Sequence, residues 1–191
     1  ILARELRCDE DTLKQYRWDT RFATASRPAS IVRVHDVDRT DEGQIFVVMD
    51  YLEGENLADL LHREGRLDLV RALRLASQIA RALAAALSAG VVHSDLKPRN
   101  VMVMGPEERI RLTGFGMARL RRSAASVLLA RPVGAAHEYA APELSGGGEG
   151  IDRTDIYALG AVLYAMLTGS APSAAPSTVT TNGARGATNG A

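Results

Sequence analysis

Between Asp68 and Ala89 the apolar residues Leu69, Leu73, Ala76, Ala80, Leu83 and Leu87 recur at alternating steps of four and three, and Gly90 follows as a stop. That spacing predicts an amphipathic helix over 68–89 with one core face. A helix so long needs a partner layer for its apolar stripe. Asn56 can cap a short helix through Leu57, Leu60 and Leu61 that Gly65 ends. Upstream, the β-branched runs 31–37 and 45–50, joined by a polar stretch containing Asp41-Glu42-Gly43, predict an antiparallel hairpin. Downstream, the runs 101–104 and 109–113, parted by Gly105-Pro106, predict a second hairpin. A weakly amphipathic first helix over 11–25 is closed by Pro28. Thr154 can cap a helix over 155–168 that is apolar nearly all round, the pattern of a helix buried in the centre of a domain. Helices and hairpins in this order predict an α+β fold.

Composition narrows the function classes. With 191 residues, 46% apolar and 24% charged, the chain can bury one core. Its 23 basic and 23 acidic residues cancel, so no charge field recruits nucleic acid or an anionic membrane, and no nucleic-acid partner is expected. The longest apolar run, 156–167, has 12 residues against the roughly 20 that span a bilayer, so no membrane segment is expected. The lone Cys8 cannot form an internal disulfide, which fits a reducing compartment and a cytoplasmic location. Residues 170–191 are small and polar, repeat Thr-Asn-Gly-Ala and carry no apolar period, so they are expected to be disordered. His35, His62 and His137 have no partners at metal-ligand spacing and read as structural or surface residues.

The stretch His93-Ser94-Asp95-Leu96-Lys97-Pro98-Arg99-Asn100 carries chemistry. Asp95 and Asn100 lie five residues apart around a proline-stiffened loop. A carboxylate there can accept a hydroxyl proton while an amide oxygen ligates a hard cation, and Lys97 can counter the charge of a phosphoryl group. The octet resembles the catalytic loop of serine/threonine protein kinases, with Ser94 where the family has arginine. Further matches follow in order. Met49-Asp50-Tyr51-Leu52-Glu53-Gly54 is similar to the adenine-contacting hinge, Met49 standing as gatekeeper. Ala141-Pro142-Glu143 matches the Ala-Pro-Glu motif, and Asp155-Ile156-Tyr157-Ala158-Leu159-Gly160 opens the buried helix whose aspartate anchors the loop. The wording looks most like bacterial kinases of the eukaryotic type.

The resemblance implies a protein-kinase-like fold with a partial small β lobe and a mostly helical large lobe. Its parts are a partial small lobe with hinge over 1–52, a truncated large lobe over 53–169 and the tail over 170–191. It implies ATP with Mg²⁺ or Mn²⁺ as cofactors and a protein substrate or partner. By the same resemblance Asp95 is the base, Lys97 approaches the γ-phosphate, Asn100 holds the metal, and Met49, Asp50, Leu52 and Met102 face the adenine. His93, Phe115, Gly116, Glu143 and Asp155 are implied as framework.

Departures from the family pattern bear on activity. Gly114-Phe115-Gly116 stands where the family has Asp-Phe-Gly, so the metal-binding carboxylate is missing at Gly114. Ile1-Leu2-Ala3 reads like the residues after the phosphate-binding lysine, so that lysine and the glycine-rich loop are expected upstream of Ile1. Asp19 falls where the first helix would pair with that lysine. Gly134-Ala135 replaces a glycine-threonine pair, and no threonine ties Lys97 to Asp95. These losses favour an impaired pseudokinase or kinase fragment. Beside it stand an active kinase completed upstream of Ile1, and a truncated gene product without function.

Overall fold

The computed structural model describes residues 2–3, 10–11, 13–17, 29–117, 138–145 and 152–172. Two three-stranded antiparallel sheets and two long helices make up the frame. In the first sheet, β3 (Ile45–Met49) lies between β1 (Leu2–Ala3) and β2 (Val34–Arg39). In the second, β5 (Val101–Met104) lies between β4 (Glu55–Asn56) and β6 (Arg109–Leu112). Residues 10–11 and 13–17 are helical, and Leu13 and Tyr16 from that segment bury themselves with Val37, Ile45 and Val47 of the first sheet. The rest of the expected helix over 11–25, Asp19 included, lies outside the described residues, as do Cys8, His137 and 173–191 of the tail.

The upstream hairpin forms three residues later than expected. Ile31 instead bridges Leu112 in parallel, with the Val32 N–H on the Leu112 carbonyl at 2.9 Å and the Leu112 N–H on Ser30 at 2.8 Å. Ile31 and Val32 are buried there, so their β-branched character serves the junction between the sheets and not the hairpin. Within β2 the register slips: Val34 faces Met49 and Asp36 faces Val48, leaving His35 as the extra residue of a bulge.

The second sheet sits on the larger core with α1 (Leu57–Glu64) and α2 (Leu69–Ser88). Asn56 caps α1 by accepting the Asp59 N–H at 3.0 Å, and Asp68 caps α2 by accepting the Arg71 N–H at 3.0 Å. α2 packs against α4 (Asp152–Thr168), while α3 (Pro142–Ser145) is a single turn. The core face of α2 differs from the stripe drawn through its leucines. Ala72, Leu75, Ala76, Ile79, Ala82 and Ala86 are buried, whereas Leu69, Leu73 and Leu87 are exposed. The partner helix explains this: Ala158, Val162, Ala165 and Met166 of α4 are buried in one cluster with that face of α2, so packing between the two helices selects which side of α2 is covered.

α4 begins before Thr154, so Thr154 and Asp155 are buried in its first turn and Thr154 is not its cap. Nor is this helix covered all round. Ile156, Tyr157 and Tyr164 are exposed, so an apolar sequence here does not mark a helix enclosed by the described residues.

The observed face makes a direct prediction for stability. Ile79→Ala removes a fully buried side chain and is expected to cost about 2–5 kcal/mol. Leu69→Gln, on the exposed side, is expected to change stability by no more than about 0.5 kcal/mol. Urea unfolding of the two variants separates this face from one running through the leucines.

Candidate active site

The loop between α2 and β5 is organised by a residue far along the chain. Asp155, in the first turn of α4, accepts the His93 N–H on one carboxylate oxygen at 2.7 Å and the Ser94 N–H on the other at 2.8 Å. The N-terminal end of the helix favours a carboxylate there. Ser94 takes a left-handed backbone with φ 62°, a conformation costing a non-glycine residue about 1–2 kcal/mol, which the Asp155 bond offsets. The turn at Ser94 directs Asp95 back across the loop.

His93 is wholly buried. Its Nε2 lies 3.0 Å from the Thr113 carbonyl, and the Asp95 N–H reaches its Nδ1 at 3.3 Å. A carbonyl only accepts, so Nε2 carries the proton and Nδ1 accepts, the neutral tautomer. Burial drives its pKa below the ordinary histidine value, outweighing the upward pull of Asp155 and Asp95. The ring also packs on Phe115, with centroids 4.4 Å apart and planes at 45°.

Asp95, Lys97 and Asn100 converge. Lys97 Nζ sits 3.0 and 3.1 Å from the two carboxylate oxygens of Asp95. Asn100 donates its Nδ2 to the Asp95 backbone carbonyl at 2.7 Å, with Oδ2 of the same residue at 3.4 Å. Pro98 opens a 3₁₀ turn, Pro98–Asn100, that brings Asn100 round, and the Asn100 carbonyl accepts the Thr113 N–H at 2.9 Å. Gly114 follows with φ 84°, and a Cβ built on it would stand 3.0 Å from Asn100 Nδ2 and 3.3 Å from Asn100 Oδ1. Any side chain at 114 is therefore aimed at Asn100. Beside Asp95 lies a small cleft lined by Leu96, Tyr139, Ala141, Leu144 and Ala158.

A divalent cation does not fit this donor set. Mg²⁺ is held through one or two carboxylates together with phosphates and water. Here the nearest carboxylate is paired with an ammonium, Asn100 offers one neutral amide oxygen, and Gly114 offers none. Among the described residues no group of three His, Cys, Asp or Glu could hold a metal.

The segment expected to face adenine begins where β3 ends. Met49 is partly buried against the smaller core cluster, Leu52 and Met102 are partly buried, and Tyr51 is fully outside. Gly54 must stay glycine, since a Cβ there would be 2.3 Å from the Val103 carbonyl. Asp50 has a role the sequence did not announce. His35 Nε2 lies 2.7 Å from one oxygen of its carboxylate and Arg111 Nη1 lies 3.2 Å from the other. The His35 hydrogen bond is the main cause that holds the Asp50 carboxyl below its ordinary pKa. Arg111 is the cross-strand partner of Met102, so this cluster ties the end of the first sheet to the second. No local pattern pointed to it, because the bulge that presents His35 has no marker in the alternation. Gly116 is buried beside Phe115, and Glu143 lies in α3.

Comparison with known proteins agrees with this geometry. A family model described as the protein kinase domain matches residues 4–187. A probable serine/threonine-protein kinase of Clostridium acetobutylicum is 35% identical over 172 residues, covering 90% of this chain and 26% of that protein. Serine/threonine-protein kinase PknA of Mycobacterium tuberculosis is 33% identical over 184 residues, covering 94% of this chain and 42% of its own. The crystal structure of the Mycobacterium tuberculosis PknI kinase domain superposes with a TM-score of 0.70 at 27% identity, covering 89% of this chain and 62% of that one. The chain spans less than half the length of these two curated relatives.

Two measurements test the loop. Asp155→Ala strips two backbone N–H groups of their acceptor, with an expected cost of about 2–4 kcal/mol and faster amide exchange at His93 and Ser94 than elsewhere in the loop. For His93 the sign follows from its lowered pKa. Its neutral form contributes stability above the ordinary histidine value of 6.5, and this is lost as pH falls through the lower folded value. Nitrogen chemical shifts should show His93 protonated at Nε2 alone at pH 6.5. A doubly protonated ring at that pH would refute the assignment.

Proposed function

This chain belongs to the protein kinase domain family, and from that premise we propose that it is a serine/threonine protein kinase-like domain whose phosphoryl transfer is impaired, acting as a pseudokinase or kinase fragment. In this reading Asp95 receives the proton of an acceptor serine or threonine hydroxyl on a protein. Lys97, in contact with both Asp95 oxygens, keeps that carboxylate oriented, and its charge lies where a phosphoryl group would approach. The small cleft beside Asp95 would receive the residue next to the acceptor. ATP is the proposed nucleotide, seated between the hinge segment and Met102. The proposed setting is the cytoplasm, and among the described residues no helix is long and apolar enough to cross a membrane.

The observation that carries the reading is at Gly114. The backbone aims this position at Asn100, yet it brings no carboxylate. Phosphoryl transfer depends almost wholly on positioning and electrostatics, so a missing charged group there removes more than a retained base restores. A second reading, an active kinase, is favoured by the intact convergence of Asp95, Lys97 and Asn100.

Transfer from radiolabelled ATP to a mixed protein substrate decides between them, with Asp95→Asn as control. The impaired reading expects the same background for both chains. Transfer that Asp95→Asn lowers by about 10² or more would establish the active reading.

A further inference from the structure

One carboxylate, that of Asp50, joins both sheets. Its Oδ1 lies 2.7 Å from His35 Nε2 on the bulge of β2, and its Oδ2 lies 3.2 Å from Arg111 Nη1 on β6. The Asp50 backbone is tied separately, its N–H donating to the Arg33 carbonyl at 3.0 Å. The side chain can therefore change partners while the chain path stays on the first sheet.

Arg111 holds an unused donor. Its Nε is buried and meets no acceptor among the described residues. A buried N–H without a partner is unfavourable, and a guanidinium binds a carboxylate best through two parallel N–H donors. Turned fully toward Arg111, the Asp50 carboxylate would take Nε as well and release His35. The two arrangements differ by one exchange of hydrogen bonds, the close balance on which a population shift depends.

The imidazole decides between them. A carboxylate only accepts, so His35 Nε2 carries a proton in the observed contact whether the ring is charged or neutral. A charged donor makes a bond roughly twice as strong as a neutral one. Histidine ordinarily changes charge between pH 5 and 8, and the His35 side chain, 43% exposed, can exchange its proton with water. The same contact holds the Asp50 carboxyl below its ordinary pKa, so the carboxylate stays ionised over that range. Other charges on these elements are engaged: Asp36 accepts the Val37 N–H, Arg17 of the helical segment pairs with Asp38, and Arg109 of β6 pairs with Glu107. Arg33, two positions before His35, adds a positive charge.

We infer that the Asp50 carboxylate is a proton-controlled latch between the two sheets, bridging His35 and Arg111 while the imidazole is charged and passing to the Arg111 fork when it is neutral. In the bridged form both sheets brace the hinge segment. In the other its side-chain tie is to β6 alone, where Arg111 stands opposite Met102. The consequence for a ligand rests on the nucleotide reading of the gap between the hinge segment and Met102: an adenine there meets a better-braced hinge at low pH and binds more tightly.

An NMR titration of the chain from pH 5 to 8 tests the latch without any ligand. The Arg111 Nε–H signal and the Asp50 side-chain carboxyl signal are expected to move with the midpoint of the His35 ring, and exchange of that Nε–H with water is expected to slow on the neutral side. An Arg111 Nε–H signal indifferent to His35 would overturn the inference. His35→Lys is expected to hold the low-pH pattern throughout and His35→Gln the high-pH pattern. A transition that persists in both variants would belong to another group and would equally overturn the latch. Thermal unfolding with adenosine, whose charge is constant over this range, reads the consequence for the gap. Apparent affinity is expected to be about fivefold higher near pH 5.5 than near pH 7.5 in the wild-type chain, and the same at both in His35→Gln. Equal affinities in the wild type would overturn the link from latch to hinge. No stabilisation at either pH would overturn the nucleotide reading, while the NMR titration still decides the latch.

Discussion

Two backbone N–H groups ending on one buried carboxylate hold the centre of this protein. His93 and Ser94 point their amides at Asp155, and through those bonds helix α4 dictates the path of a loop some sixty positions earlier. The left-handed turn at Ser94, the inward aim of Asp95 and the burial of His93 all depend on that contact. From His93 the constraint passes on, through Nε2 to Thr113 and through the ring face to Phe115, so the end of β6 is set by the same anchor. A carboxylate taken out of water is costly unless its oxygens are matched. Here each oxygen meets a fixed peptide donor, which makes the contact geometrically demanding as well as favourable.

The two sheets are joined by lighter means. Backbone pairing of residues 30–32 with Leu112 provides a rigid seam. Beside it the Asp50 carboxylate takes His35 from the bulged strand and Arg111 from the second sheet. All three side chains are about a third or more exposed, where such pairs contribute no more than about 1 kcal/mol. The cluster therefore matters for direction more than for stability. It fixes how the segment after β3 leaves the sheet, and that segment leads to Leu52 and to Gly54 pressed against β5.

The elements of this fold were legible where local chemistry decides them. Asn56 caps the helix it precedes, and Gly105 turns the second hairpin, because capping and turn formation act over a few residues. The octet from His93 to Asn100 was legible as a motif for the same reason. What the sequence did not reveal depends on partners distant in the chain. The leucines of α2 look like the core stripe, but packing against α4 buries the face of Ala72, Leu75, Ala76, Ile79, Ala82 and Ala86 instead. Ile31 and Val32 read as strand residues of the hairpin, yet Leu112 claims them. His35 looked like an ordinary surface histidine, and only the bulge shows that it meets Asp50. Tertiary competition overrides local pattern in each of these cases.

Gly114 sits in a framework that holds without any side chain at that position. The scaffold on either side is anchored elsewhere: Asn100 to Asp95 and Thr113, Phe115 to His93, His93 to Asp155. None of those contacts uses a side chain at 114. The backbone there has φ 84°, a conformation glycine adopts freely and other residues enter at a cost of about 1–2 kcal/mol. A carboxylate in that place would press on the Asn100 amide as well as strain the backbone, a kind of cost that functional sites sustain for chemistry. Glycine avoids that strain, so the backbone at 114 is held without a side chain of its own.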